Sequence, residues 1–180
     1  MLTIISLCDY SGSWSAPYRE AGYDVRQVDL KHGGDVRLFE ALPYPVRGVL
    51  AAPPCTHLSA SGARWWKGKG EAALLEAMAV VDACLRIVAV HSPLWWVLEN
   101  PAGRLSRFLG APAMTFDPAD YGDPYTKRTL LWGRFNHPLK RPVEATEGSK
   151  MHRLGPSPER ATLRSITPSG FARAFFEANP

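Results

Sequence analysis

Four short strand-like runs, at residues 2–7, 25–30, 46–51 and 94–98, each stop at a cluster of turn-forming, acidic or reactive residues. That repetition limits the architecture more than any other feature. The first run is short, apolar and rich in Ile, as a buried strand is. It leads into Asp9-Tyr10-Ser11-Gly12-Ser13, a turn. Residues 16–21 then read as a helix with Ser15 at its cap, Pro17 in its first turn and Gly22 closing it. The second run ends in Asp29, giving strand, small-residue turn, helix and strand ending in an acid, the opening of a nucleotide-binding sheet. A short helix is expected at 34–38 and one long helix at 71–90. The long one is apolar almost all round, so burial on more than one side is expected. Residues 129–132 form a further strand. Residues 167–178 form a last helix, with Thr167 at its cap and Pro168 at its first position. The expected fold is one α/β domain over residues 1–180, a doubly wound, mostly parallel Rossmann-like sheet. Residues 134–163 dissolve into Pro, Gly and charge and read as loop.

The chemistry sits where two of these runs end. Cys55 lies in Ala51-Ala52-Pro53-Pro54-Cys55-Thr56-His57-Leu58-Ser59, after the third strand, and Glu99-Asn100-Pro101 follows the fourth. In an open α/β sheet, ligands bind outside the carboxyl ends of the strands. A thiolate can add to an electron-poor ring carbon, and a carboxylic acid can protonate or hydrogen-bond the ring nitrogen that receives the displaced charge. The bland readings are a small buried hydrophobe for Cys55 and a surface turn carboxylate for Glu99. Placement after Trp95-Trp96-Val97-Leu98 argues instead for a desolvated, protonated Glu99. A Cys55–His57 pair is rejected, because residues two apart in a loop rarely aim at each other and no third orienting group is evident. The loop 53–70 is too long to be mere connection. Its Trp65 and Trp66 stack on bases, close over a bound cofactor or anchor the loop by packing.

Composition narrows the setting. A net charge of +4 and a pI near 9.1 permit a polyanionic partner without demanding one. Three cysteines, with no CxxC pair, point away from a disulfide framework and toward a reducing, cytoplasmic setting. The five histidines do not combine with them at zinc-ligand spacing, so no metal is expected. No run reaches the roughly 18 apolar residues of a membrane span. The Met1-Leu2-Thr3-Ile4-Ile5 start lacks the basic flank and cleavage site of a signal peptide.

Taken in order, these segments resemble the DNA cytosine-5 methyltransferases in a compact form, over nearly the whole chain. Pro53-Pro54-Cys55 followed by Ser59 and Gly62 is similar to that family's nucleophile loop, and Glu99-Asn100-Pro101 to its Glu-Asn pair. Residues 7–12, followed by Ala21-Gly22-Tyr23, look like its first cofactor motif. Asp29 stands at the ribose-binding position and Asp35, in Gly34-Asp35-Val36, near the adenine. Tyr121-Gly122-Asp123-Pro124, followed by Lys127-Arg128-Thr129, resembles the Gln-x-Arg-x-Arg stretch.

The resemblance implies S-adenosylmethionine as cofactor, held by Leu7, Asp9, Ser11, Gly12, Asp29, Leu30, Asp35 and Pro53. Cys55, Glu99 and Asn100 would be catalytic, and Pro54, Ser59, Lys127 and Arg128 would bind the substrate, duplex or single-stranded DNA. The likeness departs at Asp9 and Ser11, where the family carries glycine, at Thr56, where it has Gln, and at Arg128, offset by one position. Almost nothing remains of the target-recognition region, which implies low sequence specificity or a protein partner or second subunit that supplies it. Compact versions of this kind resemble phage or mobile-element genes, and for a phage gene the setting would be the host cytoplasm. Two alternatives stay open: a non-catalytic cofactor- or nucleic-acid-binding module, and a C5-pyrimidine enzyme acting on nucleotides or with another one-carbon donor.

Overall fold

The computed structural model describes residues 2–155 and 157–180. Its strands are β1 (Thr3–Leu7), β2 (Asp24–Val28), β3 (Gly48–Ala51), β4 (Trp95–Pro101), β5 (Met114–Phe116) and β6 (Thr129–Arg134). Its helices are α1 (Ala16–Glu20), α2 (Trp66–His91), α3 (Ser106–Leu109), α4 (Lys150–Arg153), α5 (Arg160–Ser165) and α6 (Ser169–Ala178). The strands make one six-stranded sheet in the order β2-β1-β3-β4-β6-β5. β2, β1, β3 and β4 run parallel, while β6 is antiparallel to both its neighbours. The sheet is therefore mostly parallel, as expected. The chain leaves β1 toward one edge and returns to β3 on its other side, which places a switch point between the carboxyl ends of β1 and β3.

Strand side chains alternate between the faces, and each face has its own cover. Ile5, Leu7, Val49, Ala51 and Leu98 pack under α2 through Ala77, Val81, Cys84 and Ile87. Ile4, Leu50, Trp95, Val97 and Leu131 pack under Trp14, Tyr18, Phe171 and Phe175 from α1, its approach and α6. The second layer is rich in aromatic rings, with Phe116 and Phe171 stacked at 3.9 Å. Tyr18 Oη donates to the Asn179 carbonyl at 2.8 Å, tying the end of α6 to α1.

Several expectations are corrected. α2 is buried along one side only: Leu75 and Val90 face solvent at 68% and 54% exposure. Gly70, with φ +72°, interrupts it, so the continuous helix starts at Glu71 as read from sequence. Ser15 sits before α1 but caps nothing, because its hydroxyl is turned to Asp9 and the Gly12 carbonyl. The last helix begins one residue late, with Pro168 rather than Thr167 at its cap position. The stretch 134–163 is not all loop, since it holds α4 and the start of α5. β5 and α3 fall where no element was expected. The segment 34–38 is a single 3-10 turn, Val36–Leu38.

Candidate active site

The register of the sheet levels three strand ends. Leu7 lies opposite Ala51, and Ala51 opposite Leu98. The chains leaving β1 and β3 and the continuation of β4 thus emerge on one edge. β4 runs three residues past that level because β6 keeps pairing with it, Glu99 to Leu131, Asn100 to Leu130 and Pro101 to Thr129. Glu99 is therefore held on a strand and not in the turn beyond one, a more rigid placement than the sequence implied. Successive strand residues point to opposite faces, and Glu99 and Asn100 part accordingly. Glu99 lines a cavity of ≈ 270 Å³ together with Pro53, Pro54, Cys55 and Ser59. Asn100 is fully buried outside that lining, its Nδ2 donating to the Pro53 carbonyl at 2.8 Å. It acts on the site as a brace between β4 and the Cys55 loop.

The loop carrying Cys55 is pinned rather than free. The Leu58 and Ser59 amides both donate to the Cys55 carbonyl at 2.9 Å, closing a tight turn just after the thiol. Beyond it, the Ala60 amide donates to the Ala102 carbonyl at 2.8 Å and the Arg104 amide to the Leu58 carbonyl at 2.9 Å. Arg104 Nε also donates to the His57 carbonyl at 2.8 Å. This close seating requires glycine at 103, where a Cβ would overlap the Leu58 carbonyl oxygen. Gly103→Ala is expected to lift the loop, costing about 1–3 kcal/mol in chemical denaturation and accelerating alkylation of Cys55. Unchanged stability with unchanged thiol reactivity would contradict this account of the loop.

Burial pushes the Cys55 thiol above its ordinary value, and Glu99 pushes it further, while Lys127 and Arg164 pull it down. The thiol is thus not a standing thiolate. Glu99 is likewise raised by burial, with Lys127 opposing the shift. The cavity therefore holds a neutral thiol and a carboxyl biased toward its protonated form, flanked by cations. Lys127 is set in place by its amide, which donates to Asp117 Oδ1 at 2.7 Å. Arg128 also lines the cavity, although its residue is exposed. His57 does not line it, and its backbone carbonyl serves the loop anchor instead.

The residues expected to hold a cofactor separate into two groups. Asp29, one residue past β2, and Asp35 line a second cavity of ≈ 430 Å³ at the β2 end, with Gly33 and Gly34. Asp29 Oδ1 accepts from the Lys31 amide at 2.9 Å, and no bond engages Oδ2 among the described residues. Asp35 is held by the Arg37 guanidinium, which also keeps its carboxyl below the usual range. Leu30, beside Asp29, is largely exposed.

The others serve the fold. Leu7 is fully buried in the core. Asp9 is buried too, its Oδ2 accepting from Ser6 Oγ, Ser15 Oγ and the Ser15 amide, so it braces the turn and has little capacity left for a ligand. Ser11 closes that turn locally, donating to Asp9 Oδ1 and accepting from the Ser13 amide. Gly12 completes it at φ +66°. Pro53 belongs to the thiol cavity rather than the second one.

Sequence reasoning missed Arg164. It reaches the cavity from α5, at the edge of a stretch read as loop, and donates from Nη2 to Ser61 Oγ at 3.2 Å. Its only trace in the sequence is the basic character of the C-terminal third. Among the described residues, no three His, Cys, Asp or Glu side chains are grouped to hold a metal, and no helix is long and apolar enough to cross a membrane.

What fold and site define is an α/β protein with a thiol and a carboxyl on one cavity at the carboxyl edge of its sheet. The chain matches no family model and no curated protein. Among solved structures it is similar to a prophage-encoded E. coli protein described as a putative DNA modification methyltransferase, at 19% identity and a TM-score of 0.48. The alignment covers 88% of this chain and 50% of the other, so the chain spans about half the length of that protein.

Proposed function

We propose that the protein transfers a methyl group from S-adenosylmethionine to C5 of a cytosine in DNA, through a covalent adduct between Cys55 and C6. The observation that carries this reading is the joint placement of Cys55 and Glu99 on one cavity. Cys55 Sγ, on losing its proton, bonds to C6, and the C5–C6 π electrons shift toward N3. Glu99 donates its proton or a hydrogen bond there, and C5 becomes the nucleophile. The cofactor, when bound, supplies an electrophilic methyl group. After transfer, solvent water takes the C5 proton, N3 returns its proton to Glu99, and Cys55 Sγ leaves as the thiolate, restoring the ring. Burial suits Glu99 to this role because it disfavours the charged form. In duplex DNA the base would have to leave the stack to meet Cys55.

The second cavity fits the nucleoside part of the cofactor through Asp29, whose Oδ2 is available to a ribose hydroxyl. Asp35 fits less well while Arg37 holds it. Asp29→Ala is expected to weaken cofactor affinity, read by calorimetry, more than it lowers maximal rate, because a ribose contact is made equally in ground and transition states. An equal fall in both would remove Asp29 from that role.

One observation favours the non-catalytic alternative. Gln27 Nε2 donates to the Asp9 carbonyl at 2.5 Å and also bonds the Tyr10 carbonyl, and the His32 ring bonds the latter too, so the turn after β1 is closed by the protein's own side chains. Incubation with S-adenosylmethionine and an oligonucleotide carrying 5-fluorocytosine separates the readings. Fluorine cannot leave C5 as a proton does, so an enzyme of this kind accumulates a protein–DNA adduct at Cys55. A preparation that binds both ligands yet forms no adduct is a binding module.

A further inference from the structure

Resting on the reading above, we propose that the cavity takes a whole nucleotide, and that Arg164, working with Ser61, holds the phosphate group carried by the target's sugar. Three cationic side chains, Lys127, Arg128 and Arg164, line the cavity, against Glu99 as its one carboxyl. None of the three is paired with a carboxylate among the described residues. Even with Glu99 ionised, one carboxylate leaves the three cations in surplus. A concave, partly dehydrated wall with surplus positive charge focuses its field on an anion. A cytosine ring is uncharged, and its phosphate is the group that answers that field.

Arg164 is the best placed of the three to answer it. Its guanidinium has five donors in a planar fork that matches phosphate oxygens, and among the described residues it makes one side-chain bond, to Ser61 Oγ. Ser61 Oγ lies 2.9 Å from Ser59 Oγ, so the guanidinium meets a pair of hydroxyls on the same wall. The helix that carries Arg164 is tied down separately, because Lys31 Nζ donates to Thr162 Oγ1 at 2.7 Å. Arg164 thus arrives over the thiol loop from a helix anchored to the β2 end, a placement that orients its remaining donors without using them.

The test is binding of dCMP, deoxycytidine and a single-stranded oligonucleotide with one cytosine, to the wild type and to Arg164→Gln, by calorimetry. Wild type is expected to prefer dCMP over deoxycytidine by about tenfold or more, the worth of a charged hydrogen bond, and Arg164→Gln to bind the two alike. With the oligonucleotide, the slope of log affinity against log salt should fall by about 0.7 in the variant, the share of a single neutralised phosphate on a single strand. A variant effect on the oligonucleotide slope assigns a backbone phosphate; an effect confined to dCMP assigns a free nucleotide. Retention of the full phosphate preference by Arg164→Gln overturns the proposal, as does a wild type that binds neither dCMP nor the oligonucleotide. If Arg164→Gln fails to fold by circular dichroism, Ser61→Ala replaces it and should narrow the preference severalfold; an unaltered preference there also overturns it. UMP and AMP are the control on the underlying reading. Equal, Arg164-dependent binding of all three monophosphates keeps the phosphate subsite and sinks the cytosine assignment. A cytosine preference with no phosphate dependence does the reverse.

Discussion

Cys55→Ala is expected to lower methyl transfer by more than about 10⁴-fold, the scale on which enzymes lose activity when a covalent nucleophile is removed. S-adenosylmethionine affinity should stay within a few fold. The two effects separate because the thiol lines the cavity beside Glu99, while the candidate ribose site lies at the β2 end, in a cavity that shares no lining residue with it. The residue is also a modest contributor to the fold. Its loop is held by the backbone bonds of Leu58, Ser59, Ala60 and Arg104, none of which needs the sulfur. Turnover is measured with tritiated cofactor, affinity by calorimetry and fold by circular dichroism. A variant that loses cofactor binding along with turnover would mark Cys55 as structural, and a variant that remains active would end the covalent mechanism.

Glu99→Gln should cost roughly 10²–10⁴ in rate, the usual contribution of a positioned general acid. It also carries a signature that a packing defect would not. In the proposed mechanism the reacting arrangement is Cys55 as thiolate with Glu99 protonated, the minority placement of their shared proton. Glu99 titrates above its ordinary 4.5 and Cys55 above its ordinary 9.0. The wild-type kcat/KM is therefore expected to be level between those two titrations and to fall on either side. In Glu99→Gln the fall at high pH disappears, and the remaining activity climbs with pH until Cys55 ionises. The substitution also removes the anion that pushes the thiol up. Alkylation of Cys55 by iodoacetamide, which follows the thiolate, should consequently shift to lower pH. Arg164→Gln should shift it to higher pH, because that cation pulls the thiol down. A Glu99→Gln variant with wild-type rate and an unmoved alkylation profile would place Glu99 outside the chemistry.

The strands that build the edge were legible because their signal is local. β1 and β3 are buried without interruption, and Ile, Val, Leu and Ala make up most of both. The punctuation after them, Asp9 to Ser13 and Pro53-Pro54-Cys55, is turn chemistry readable residue by residue. β5 was not legible. It is three residues long after a Gly-Ala-Pro stretch, and it exists through pairing with β6. The same holds for α4 and α5, of four and six residues. Helices that short have too little intrinsic stability to leave a pattern; contacts such as Lys31 to Thr162 hold α5 in place.

The sequence by itself determined that Cys55 and Glu99 each lie toward the carboxyl end of a strand of a mostly parallel sheet, and this order along the chain was enough to put both on one edge. Only the tertiary structure decided what shares that edge with them. The register of β4 on β6 makes Glu99 a strand residue and sends Asn100 to the opposite face as a brace. Asp9, a cofactor candidate by position, spends its carboxylate on Ser6 and Ser15. Arg164 enters from 109 positions beyond Cys55 (164 − 55). Each of these outcomes depends on hydrogen bonds and charges between groups that only the folded chain brings together, whose energies no local pattern carries, whereas strand placement depends on short-range burial that every window of the sequence displays.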